Sequence, residues 1–252
     1  GEIYEKGMKN RIIHILQKLF GFENYLFIFS LFTILKLRYD RNEKDFFKLF
    51  DLVEDGGLIL DIGANIGVMT THFARRMKNS TVYAFEPVPS NIRTLKRVIS
   101  FFCFKNVKIY EFALGDSDKK IKMIMPHLKS ARKQGLSHVI KDNNYGEEEK
   151  GEEFEVESRR LDSFEEIIDS EKRVTVIKID VEGYELNVLK GAVETIRRHK
   201  PVVYCELWQG RNREATIDFM KSLGYHAKVV VRQKLVPYDD HPNQNFFFIP
   251  GS

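Results

Sequence analysis

Short apolar runs and helical repeats of apolar residues follow one another along most of the chain. Five runs predict buried strands, at Leu58–Ile62, Thr81–Phe85, residues 107–114, Val174–Ile179 and residues 201–207. The segments that follow most of these runs carry apolar residues at three- or four-residue spacing, which predicts helices. Strand–helix alternation of this kind is typical of an α/β fold with a parallel sheet and helices on both faces.

Both ends of the chain and one internal segment depart from this alternation. Residues 1–55 show helical spacing without strands and predict an N-terminal helical extension, so that residues 56–252 form the main domain. Two late apolar runs, residues 225–231 and 246–249, have no helix between them and predict a C-terminal antiparallel hairpin at the sheet edge. Residues 126–154 are polar and rich in charge, which predicts an insertion that could act as a substrate lid.

The most apolar segment of the extension reads YLFIFSLFTILKL, at residues 25–37. It is well short of the roughly 20 apolar residues that a membrane-spanning helix needs. A helix buried against the main domain is the favoured interpretation, and a helix that lies on a membrane surface is the alternative. Peripheral membrane contact through the N-terminal helices therefore stays open at this point.

Composition narrows the class of protein. Of the 252 residues, 43% are hydrophobic and 30% are charged, as in ordinary soluble globular chains. The net charge of +4 comes from mixed clusters and does not indicate a nucleic-acid partner. Cys103 and Cys205 lie in apolar runs and form no motif, so we expect buried free thiols in a reducing, cytoplasmic compartment. Because the first residue is Gly rather than Met, we also expect one domain of a larger protein.

The turn after the first predicted strand carries the strongest chemical signal. The stretch LDIGANIGV begins the turn at Gly63, and it has Asn65 and Val68 where a dinucleotide-binding G-x-G-x-x-G motif needs its second and third glycines. A pyrophosphate therefore fits poorly, and an NAD(P)-dependent oxidoreductase is disfavoured. Ligands of doubly wound sheets bind at the carboxyl ends of the strands, so this turn still marks the candidate pocket.

Two carboxylates flank this candidate pocket. Asp61 precedes the turn, where its negative charge would repel a phosphate but would suit a cationic α-amino group. Glu86 ends the second predicted strand, where a carboxylate can accept hydrogen bonds from both hydroxyls of a ribose. A pocket for a ribose and a cationic amine, without a diphosphate, matches S-adenosylmethionine (SAM).

Several motifs along the chain resemble those of the FkbM family of SAM-dependent methyltransferases. They are DIGANIG, FEPVPSN, ALGD, LDSF, IKIDVEGYELNVLKGA and NFFFIP, and the resemblance covers residues 43–250. It implies a class I methyltransferase fold, which is Rossmann-like, with a seven-stranded and mostly parallel sheet and a reversed last hairpin. It also implies O-methylation of sugars or natural products by an enzyme that is often encoded among glycosyltransferases.

The resemblance also implies where the cofactor binds. Residues of the first turn would surround the methionine part of SAM, Glu86 would bind the ribose, and residues after the second and third strands would lie beside the adenine. These residues are Asp61, Gly63, Ala64, Asn65 and Gly67 for the methionine part, and Pro87, Val88, Ala113, Leu114 and Asp116 for the adenine. Asp180, at the end of the fourth strand, would face the site of methyl transfer.

A sugar hydroxyl is a poor nucleophile while it is neutral, so a general base or a metal ion is expected. The candidates are Asp180 and Glu206, which end two predicted strands, followed by Glu182 and by His241 in a loop. Asp180 and Glu206 could instead hold a divalent cation together with the substrate oxygens. Glu185, at the start of a predicted helix, is a further candidate, and exposure to solvent is the alternative for it.

The favoured interpretation is a SAM-dependent O-methyltransferase that acts on a hydroxyl of a sugar, a glycan or a glycosylated small molecule. One alternative is a non-catalytic SAM-binding module of a multidomain glycan-processing protein that contains a glycosyltransferase. Another is a methyltransferase that acts on protein or nucleic acid. The acidic stretch DVEGYE disfavours it, because amino-methylating enzymes often carry an Asn/Asp-Pro-Pro-Tyr/Phe motif at that place. We expect no nucleic-acid partner.

Overall fold

The computed structural model describes residues 17–40, 43–128, 131–132, 138–139 and 151–251. Its strands, in chain order, are β1 (Leu58–Ile62), β2 (Thr81–Phe85), β3 (Val107–Tyr110), β4 (Ala113–Leu114), β5 (Lys119–Leu128), β6 (Ala131–Arg132), β7 (His138–Val139), β8 (Gly151–Arg159), β9 (Val174–Ile179), β10 (Val202–Glu206), β11 (Tyr225–Val231), β12 (Lys234–Pro237) and β13 (Asn245–Pro250). Its α-helices are α1 (Phe22–Lys36), α2 (Val68–Arg76), α3 (Pro89–Phe101), α4 (Glu165–Ile168), α5 (Glu185–Lys190), α6 (Val193–His199) and α7 (Arg211–Ser222). Short 3-10 helices lie at Leu37–Tyr39, Lys44–Asp51 and Leu161–Ser163.

An eight-stranded sheet forms the centre of the fold, in the order β12-β11-β13-β10-β9-β1-β2-β3. The five strands from β10 to β3 run parallel, and β13, β11 and β12 pair antiparallel. The predicted α/β class and the antiparallel C-terminal pair are confirmed, and β12 adds an eighth strand at the edge. The strand order reverses between β1 and β9, which is where open α/β sheets bind their ligands.

Apolar side chains of the sheet point alternately to two core layers, because successive residues of a strand face opposite sides. Leu58, Leu60 and Ile62 of β1 join one layer, and Ile59 joins the other. The first layer packs against α5, α6 and α7, and the second against α2 and the 3-10 helix at Lys44–Asp51. Both faces of the sheet are therefore covered, as the near-continuous apolar runs in its parallel strands require.

A second sheet of five strands was not predicted from the sequence. It has the order β4-β8-β5-β6, with β7 paired to β5. The predicted third strand at residues 107–114 is divided, since β3 belongs to the central sheet and β4 to the second sheet. The predicted insertion at residues 126–154 begins inside β5 and ends inside β8, and most of its middle lies outside the described residues.

The N-terminal helix α1 packs across α2 and α3 through one face only. Leu26, Ser30 and Ile34 are buried on that face. Ser30 Oγ donates a hydrogen bond to the carbonyl of Ile66, and His72 Nε2 lies 3.1 Å from the carbonyl oxygen of Ile34. The helix is thus fixed to the segment between β1 and α2. The part of the predicted N-terminal helical extension that precedes residue 17 lies outside the described residues.

No helix in the described part of the chain is long and apolar enough to cross a membrane.

Both cysteines are free thiols, and Cys205 is buried in β10. The prediction of a buried thiol is wrong for Cys103, which is exposed. Cys103 lies just after α3 in a left-handed turn conformation with φ of 56°, outside the packed face of that helix.

Candidate functional site

The glycine turn (residues 63–67) joins β1 to α2 at the point where the strand order reverses. Gly63 has φ of 74°, and a Cβ atom there would lie 1.9 Å from the backbone oxygen of Asp180, so no side chain fits. Gly67 has φ of 86°, and its Cβ would lie 2.7 Å from Leu95 Cδ1. Between them Asn65 also has a positive φ, of 51°. The backbone conformation of this turn and the close approach of its neighbours therefore require glycine at positions 63 and 67.

Asp61, which precedes the glycine turn, is completely buried and paired inside the protein. Its Oδ1 lies 3.1 Å from Lys178 Nζ, and its Oδ2 accepts a hydrogen bond of 2.5 Å from Thr70 Oγ1. Lys178 Nζ also donates to the carbonyl of Gly63 at 2.8 Å. Burial alone would lower the pKa of Lys178, but the charges of Asp61 and Asp180 raise it above its ordinary value. The negative charge of Asp61 is thus neutralised by Lys178.

Glu86, at the end of β2, is buried and held by three N–H donors. Its Oε2 accepts from the backbone N–H of Asn65 at 2.8 Å, and its Oε1 accepts from the backbone N–H of Val88 and from Asn91 Nδ2. Burial raises the pKa of Glu86 to about 7, although these hydrogen bonds act in the opposite direction. The carboxylate is oriented before any ligand arrives, and it also fixes the glycine turn.

The first cavity lies beside Glu86 and has a volume of about 630 Å³ with its open mouth. Apolar side chains of the second sheet and of two loops form one part of its wall, namely Leu114, Met123 and Val139 from the sheet and Phe112 and Val181 from the loops. Polar and charged groups form the other part, namely Asn65, Glu86, Asn91, Asp180 and Glu182.

The structure brings together most of the residues that were predicted to bind the cofactor. Those that line the first cavity are Gly63, Asn65, Glu86, Pro87, Val88, Ala113 and Leu114. Asp61, Ala64, Gly67 and Asp116 are not among its lining residues. Sequence reasoning missed Met123 and Val139, because the second sheet that carries them was not predicted.

Asp116 has partners of its own within the protein. It accepts hydrogen bonds from Asn187 Nδ2 at 2.7 Å and from Ser117 Oγ at 2.9 Å, and it lies 3.7 Å from Lys119 Nζ. Burial raises its pKa, but the hydrogen bonds from Asn187 and Ser117 outweigh that effect and lower the pKa below its ordinary value. Asp116 therefore connects the loop after β4 to α5.

A second cavity of about 710 Å³, including open space at its mouth, lies on the other side of the glycine turn. The N-terminal part of the chain forms one of its walls, with Phe29, Thr33, Leu37 and Glu43. The opposite wall consists of Gly63, Ala64, Asn65, Ile66, Val68, Met69, Lys178 and Asp180. Gly63, Asn65 and Asp180 line both cavities, so the two cavities meet at these residues.

Four carboxyl groups interact around this junction. Ile179 of β9 pairs with Cys205 of β10, so Asp180, directly after β9, and Glu206, the last residue of β10, lie at the same edge of the sheet. Burial, and then the charges of Asp180 and Glu43, raise the pKa of Glu206 to about 9. Glu206 therefore carries a proton at neutral pH, whereas Asp180 Oδ2 lies 3.8 Å from the cationic Nζ of Lys178.

Glu43 and Glu182 approach the same junction from different parts of the chain. Burial, and then the charge of Asp180, raise the pKa of each of these two glutamates to about 7. Glu43 precedes the 3-10 helix at Lys44–Asp51 and was not predicted as a site residue. The sequence holds no signal for it, because nothing in the spacing of residues relates position 43 to position 180. We call Asp180, Glu206, Glu43 and Glu182 the acid cluster.

The turn that carries Glu182 is held by a neighbouring glutamate. Glu182 and Gly183 have φ of 48° and 85°, a left-handed conformation that costs energy for Glu. Glu185 Oε1 accepts a hydrogen bond from the backbone N–H of Gly183, and its Oε2 accepts one from Asn212 Nδ2. The alternative that Glu185 faces solvent is wrong, since the residue is 2% exposed. Its carboxylate instead fixes the turn so that Glu182 lines the first cavity.

His241 is not brought to the junction of the cavities. It lines neither of them, and its Nδ1 lies 2.8 Å from the carbonyl oxygen of Asp239 in its own loop. Trp208 lies two residues after Glu206 and is 53% exposed.

Among the described residues, no group of three or more His, Cys, Asp or Glu side chains is arranged to hold a metal ion.

The known proteins to which this chain is similar are methyltransferases. The family model of the methyltransferase FkbM domain matches residues 61–227. Methyltransferase 1 of Beauveria bassiana (strain ARSEF 2860) is 30% identical over 169 residues, which are 62% of this chain and 68% of that protein. Methyltransferase sdnD of Sordaria araneosa is 28% identical over 176 residues, which are 60% of this chain and 66% of that protein.

A solved structure has the same fold. Methyltransferase FkbM from Methylobacillus flagellatus KT superposes with a TM-score of 0.51 at 18% identity, over 79% of this chain and 45% of that one. The alignment thus spans less than half the length of the Methylobacillus protein. The similarity confirms the class I methyltransferase fold that the motifs imply.

Proposed function

The chain belongs to the FkbM methyltransferase family, and from this premise we propose that it transfers a methyl group from SAM to a hydroxyl of a sugar, a glycan or a glycosylated small molecule. The observation that carries the proposal is the position of Asp180. This carboxylate lines both cavities and interacts with three further carboxyl groups. A donor group bound in one cavity and an acceptor bound in the other would meet beside it.

The residues of the first cavity fit SAM. The Oε2 atom of Glu86 accepts one N–H in the structure, which leaves it capacity to accept a ribose hydroxyl. The apolar wall that includes Leu114, Met123 and Val139 suits a flat adenine. Asn65 and Asp180 line the part near the glycine turn, where the methionine end would lie. When bound, SAM supplies an electrophilic methyl group on a sulfonium sulfur.

The acid cluster can activate an acceptor hydroxyl. Asp180 would accept the proton of an acceptor hydroxyl, and its Oδ2 lies 3.8 Å from Lys178 Nζ, whose positive charge would balance that of the carboxylate. Glu206 lines neither cavity, but its carboxyl group is protonated at neutral pH and can therefore donate a hydrogen bond. Glu43 and Glu182 have pKa values near 7, so either can take up the proton that Asp180 releases.

The acidic side chains of the second cavity support a sugar-like acceptor. Glu43 and Asp180 line this cavity, and two carboxyl groups in one place can accept hydrogen bonds from several hydroxyls. Trp208 lines neither cavity, but it lies two residues beyond Glu206, and its exposed aromatic face is of the kind that packs against the apolar side of a sugar ring. The same carboxylates would repel the phosphates of a nucleic acid, which disfavours that class of acceptor.

The proposal is tested by mass spectrometry of methyl transfer. The chain is incubated with SAM and a panel of sugars, glycolipids, a lysine-rich peptide and an RNA oligonucleotide, each with and without a chelator. We expect a methyl ether on a hydroxyl of a sugar-containing acceptor. Methylation of only the peptide or the RNA would overturn the proposal, and so would SAM binding without transfer to any acceptor. Activity that survives the chelator assigns proton removal to the acid cluster, whereas its loss assigns activation of the hydroxyl to a bound cation.

A further inference from the structure

The side of α1 that faces away from the domain carries an apolar stripe. Ile28, Phe32, Leu35 and Tyr39 follow one another at spacings of four, three and four residues, which places them on one face of the helix and its continuation. Their exposed fractions are 52%, 61%, 72% and 82%. Leu19 and Phe20, just before α1, are also exposed. We call these six residues the apolar face.

An apolar face of this size is unusual for a helix at a protein surface. Surface helices ordinarily present charged or polar residues on the side opposite the core. Here the packed side of α1 is formed by Leu26, Ser30 and Ile34, and the opposite side is more apolar than the packed one. Contiguous exposed apolar surface of this kind marks a contact with a protein or with lipid.

The charges around the apolar face are mainly positive. Between residues 17 and 39 the chain has three basic residues, Lys18, Lys36 and Arg38, and one acidic residue, Glu23. All three basic residues are exposed, and Glu23 is engaged by Arg93 at 2.5 Å. Burial lowers the pKa of His72, and the charges of Arg75, Arg76 and Arg38 lower it further. Arg38 therefore lies near Arg75 and Arg76, two exposed residues at the end of α2. A basic rim around an apolar stripe is complementary to an anionic lipid surface.

The apolar face also continues into the second cavity. Phe29 lies next to Ile28 on α1, is 40% exposed and lines that cavity together with Thr33 and Leu37. A surface bound to the apolar face would therefore lie beside the mouth of this cavity. An anionic lipid surface agrees with the position of the apolar face, with its exposed aromatic and aliphatic groups and with the positive charge around it.

We propose that the apolar face of α1 and its basic rim dock the chain on an anionic lipid surface, with Phe32 and Leu35 inserted among the lipids and Lys36 and Arg38 on the headgroups. The side chains enter only to the depth of the boundary between headgroups and acyl chains, as in other helices that lie in the plane of a membrane. This interaction does not depend on the chemistry of the acceptor.

Co-sedimentation with vesicles tests the proposal. One vesicle preparation is phosphatidylcholine alone, and the other is three parts phosphatidylcholine to one part phosphatidylglycerol. We expect the chain to sediment with the anionic vesicles and much less with the neutral ones. We also expect salt to weaken binding, because the screening length falls from about 10 Å at 0.1 M to about 3 Å at 1 M.

Two double variants and one control make the test specific. Phe32→Ser with Leu35→Ser, and Lys36→Glu with Arg38→Glu, should each weaken binding to the anionic vesicles at least ~10-fold. Ile168→Ser is the matched control, because Ile168 is 43% exposed at the end of α4, and it should bind as the wild type does. Unchanged melting temperatures show that these exposed positions are not needed for folding.

Three results would overturn the proposal. The first is a wild-type chain that does not sediment with anionic vesicles, and the second is a Phe32→Ser/Leu35→Ser variant that binds them as tightly as the wild type. The third is light scattering that shows a wild-type dimer, a monomeric Phe32→Ser/Leu35→Ser variant and no lipid binding by either, since the apolar face would then contact a second copy of the chain.

Discussion

Lys178 Nζ lies 3.1 Å from Asp61 Oδ1, and the two side chains are 3% and 0% exposed. This buried pair joins β9 to β1, and Lys178 also donates a hydrogen bond to the carbonyl of Gly63. The acid that precedes the glycine turn is therefore used to fix the turn. The sequence predicts that the charge of Asp61 is available to a cationic ligand, whereas in the structure a lysine from the fourth parallel strand pairs with this carboxylate.

Loss of Lys178 should destabilise the fold strongly. Lys178→Met leaves the buried carboxylate of Asp61 without its cation, which should lower the free energy of unfolding by about 3–5 kcal/mol in urea titrations. Adding Asp61→Asn should restore part of that loss, because no charge then remains unpaired. Lys96→Met is the matched control, since its pair with Glu111 is exposed and should contribute less than about 1 kcal/mol. Equal effects of the two lysine variants would contradict this role of Lys178.

Glu86 should determine the affinity for SAM. Glu86→Ala removes an oriented carboxylate that can accept charge-assisted hydrogen bonds from the ribose, and calorimetry should show a loss of roughly 2–4 kcal/mol in binding free energy. The melting temperature of the variant must be measured too, because Glu86 also holds the N–H of Asn65. Glu111→Ala removes an exposed glutamate and serves as the control. SAM binding by Glu86→Ala at wild-type affinity would show that the first cavity is not the cofactor site.

Stability should fall as the pH rises from neutral to alkaline. The pKa of Glu206 is raised to about 9 in the folded protein from an ordinary value of 4.5, chiefly by burial. A carboxyl group with a raised pKa contributes stability that is complete below its unfolded pKa and is lost as the pH rises through its folded pKa. Glu43, Glu86 and Glu182 act in the same direction up to about pH 7. Glu206 therefore accounts for most of the loss of stability between pH 7 and 9 that these four groups cause.

Glu206→Gln provides the test of this pH dependence. The amide is neutral at every pH, so between pH 7 and 9 the variant should lose less stability than the wild type, by roughly 1–2 kcal/mol after allowance for solvent screening. Thermal unfolding at a series of pH values measures the difference. Identical slopes for the wild type and for Glu206→Gln would contradict the placement of a protonated glutamate at this strand end.

Glu43 should act on Glu206 through its charge. Glu43→Gln removes one of the negative charges that raise the pKa of Glu206, so that pKa should fall. Carbon NMR of labelled glutamate carboxyl groups measures the titration directly. Glu54→Gln, at an exposed position before β1, should leave it unchanged. An unaltered Glu206 titration in Glu43→Gln would show that the N-terminal segment does not contribute to the acid cluster.

Much of the fold could be predicted because its physical signals are local. Apolar runs define β1, β2, β9 and β10, and the acids at or near their ends mark the ligand-binding edge. The second sheet was missed because β8 alternates charged residues with few apolar ones and because β5 begins with lysines at positions 119, 120 and 122, patterns that are typical of surface segments. The missing strands also hid Met123 and Val139 from the predicted pocket.

The partners of site residues were harder to predict than the residues themselves. Glu43 reaches Asp180 only through tertiary packing of the N-terminal segment, so no spacing rule connects them. Lys178 did carry a signal, since a lysine inside the apolar run VTVIKI requires a buried acid as its partner. The roles predicted for the residues of the first cavity and for His241 stay predictions until ligand binding is measured.

The most direct measurement is the single-turnover rate of methyl transfer in the Asp180→Asn variant, with the hydroxyl acceptor found in the panel. Asparagine keeps the shape of the side chain and removes the group that accepts the proton. We predict a rate at least ~100-fold below that of the wild type, with SAM affinity unchanged. Asp218→Asn, at an exposed position of α7, is the control and should react as the wild type does. Transfer by Asp180→Asn at the wild-type rate would contradict the central claim that the two cavities meet at the catalytic base.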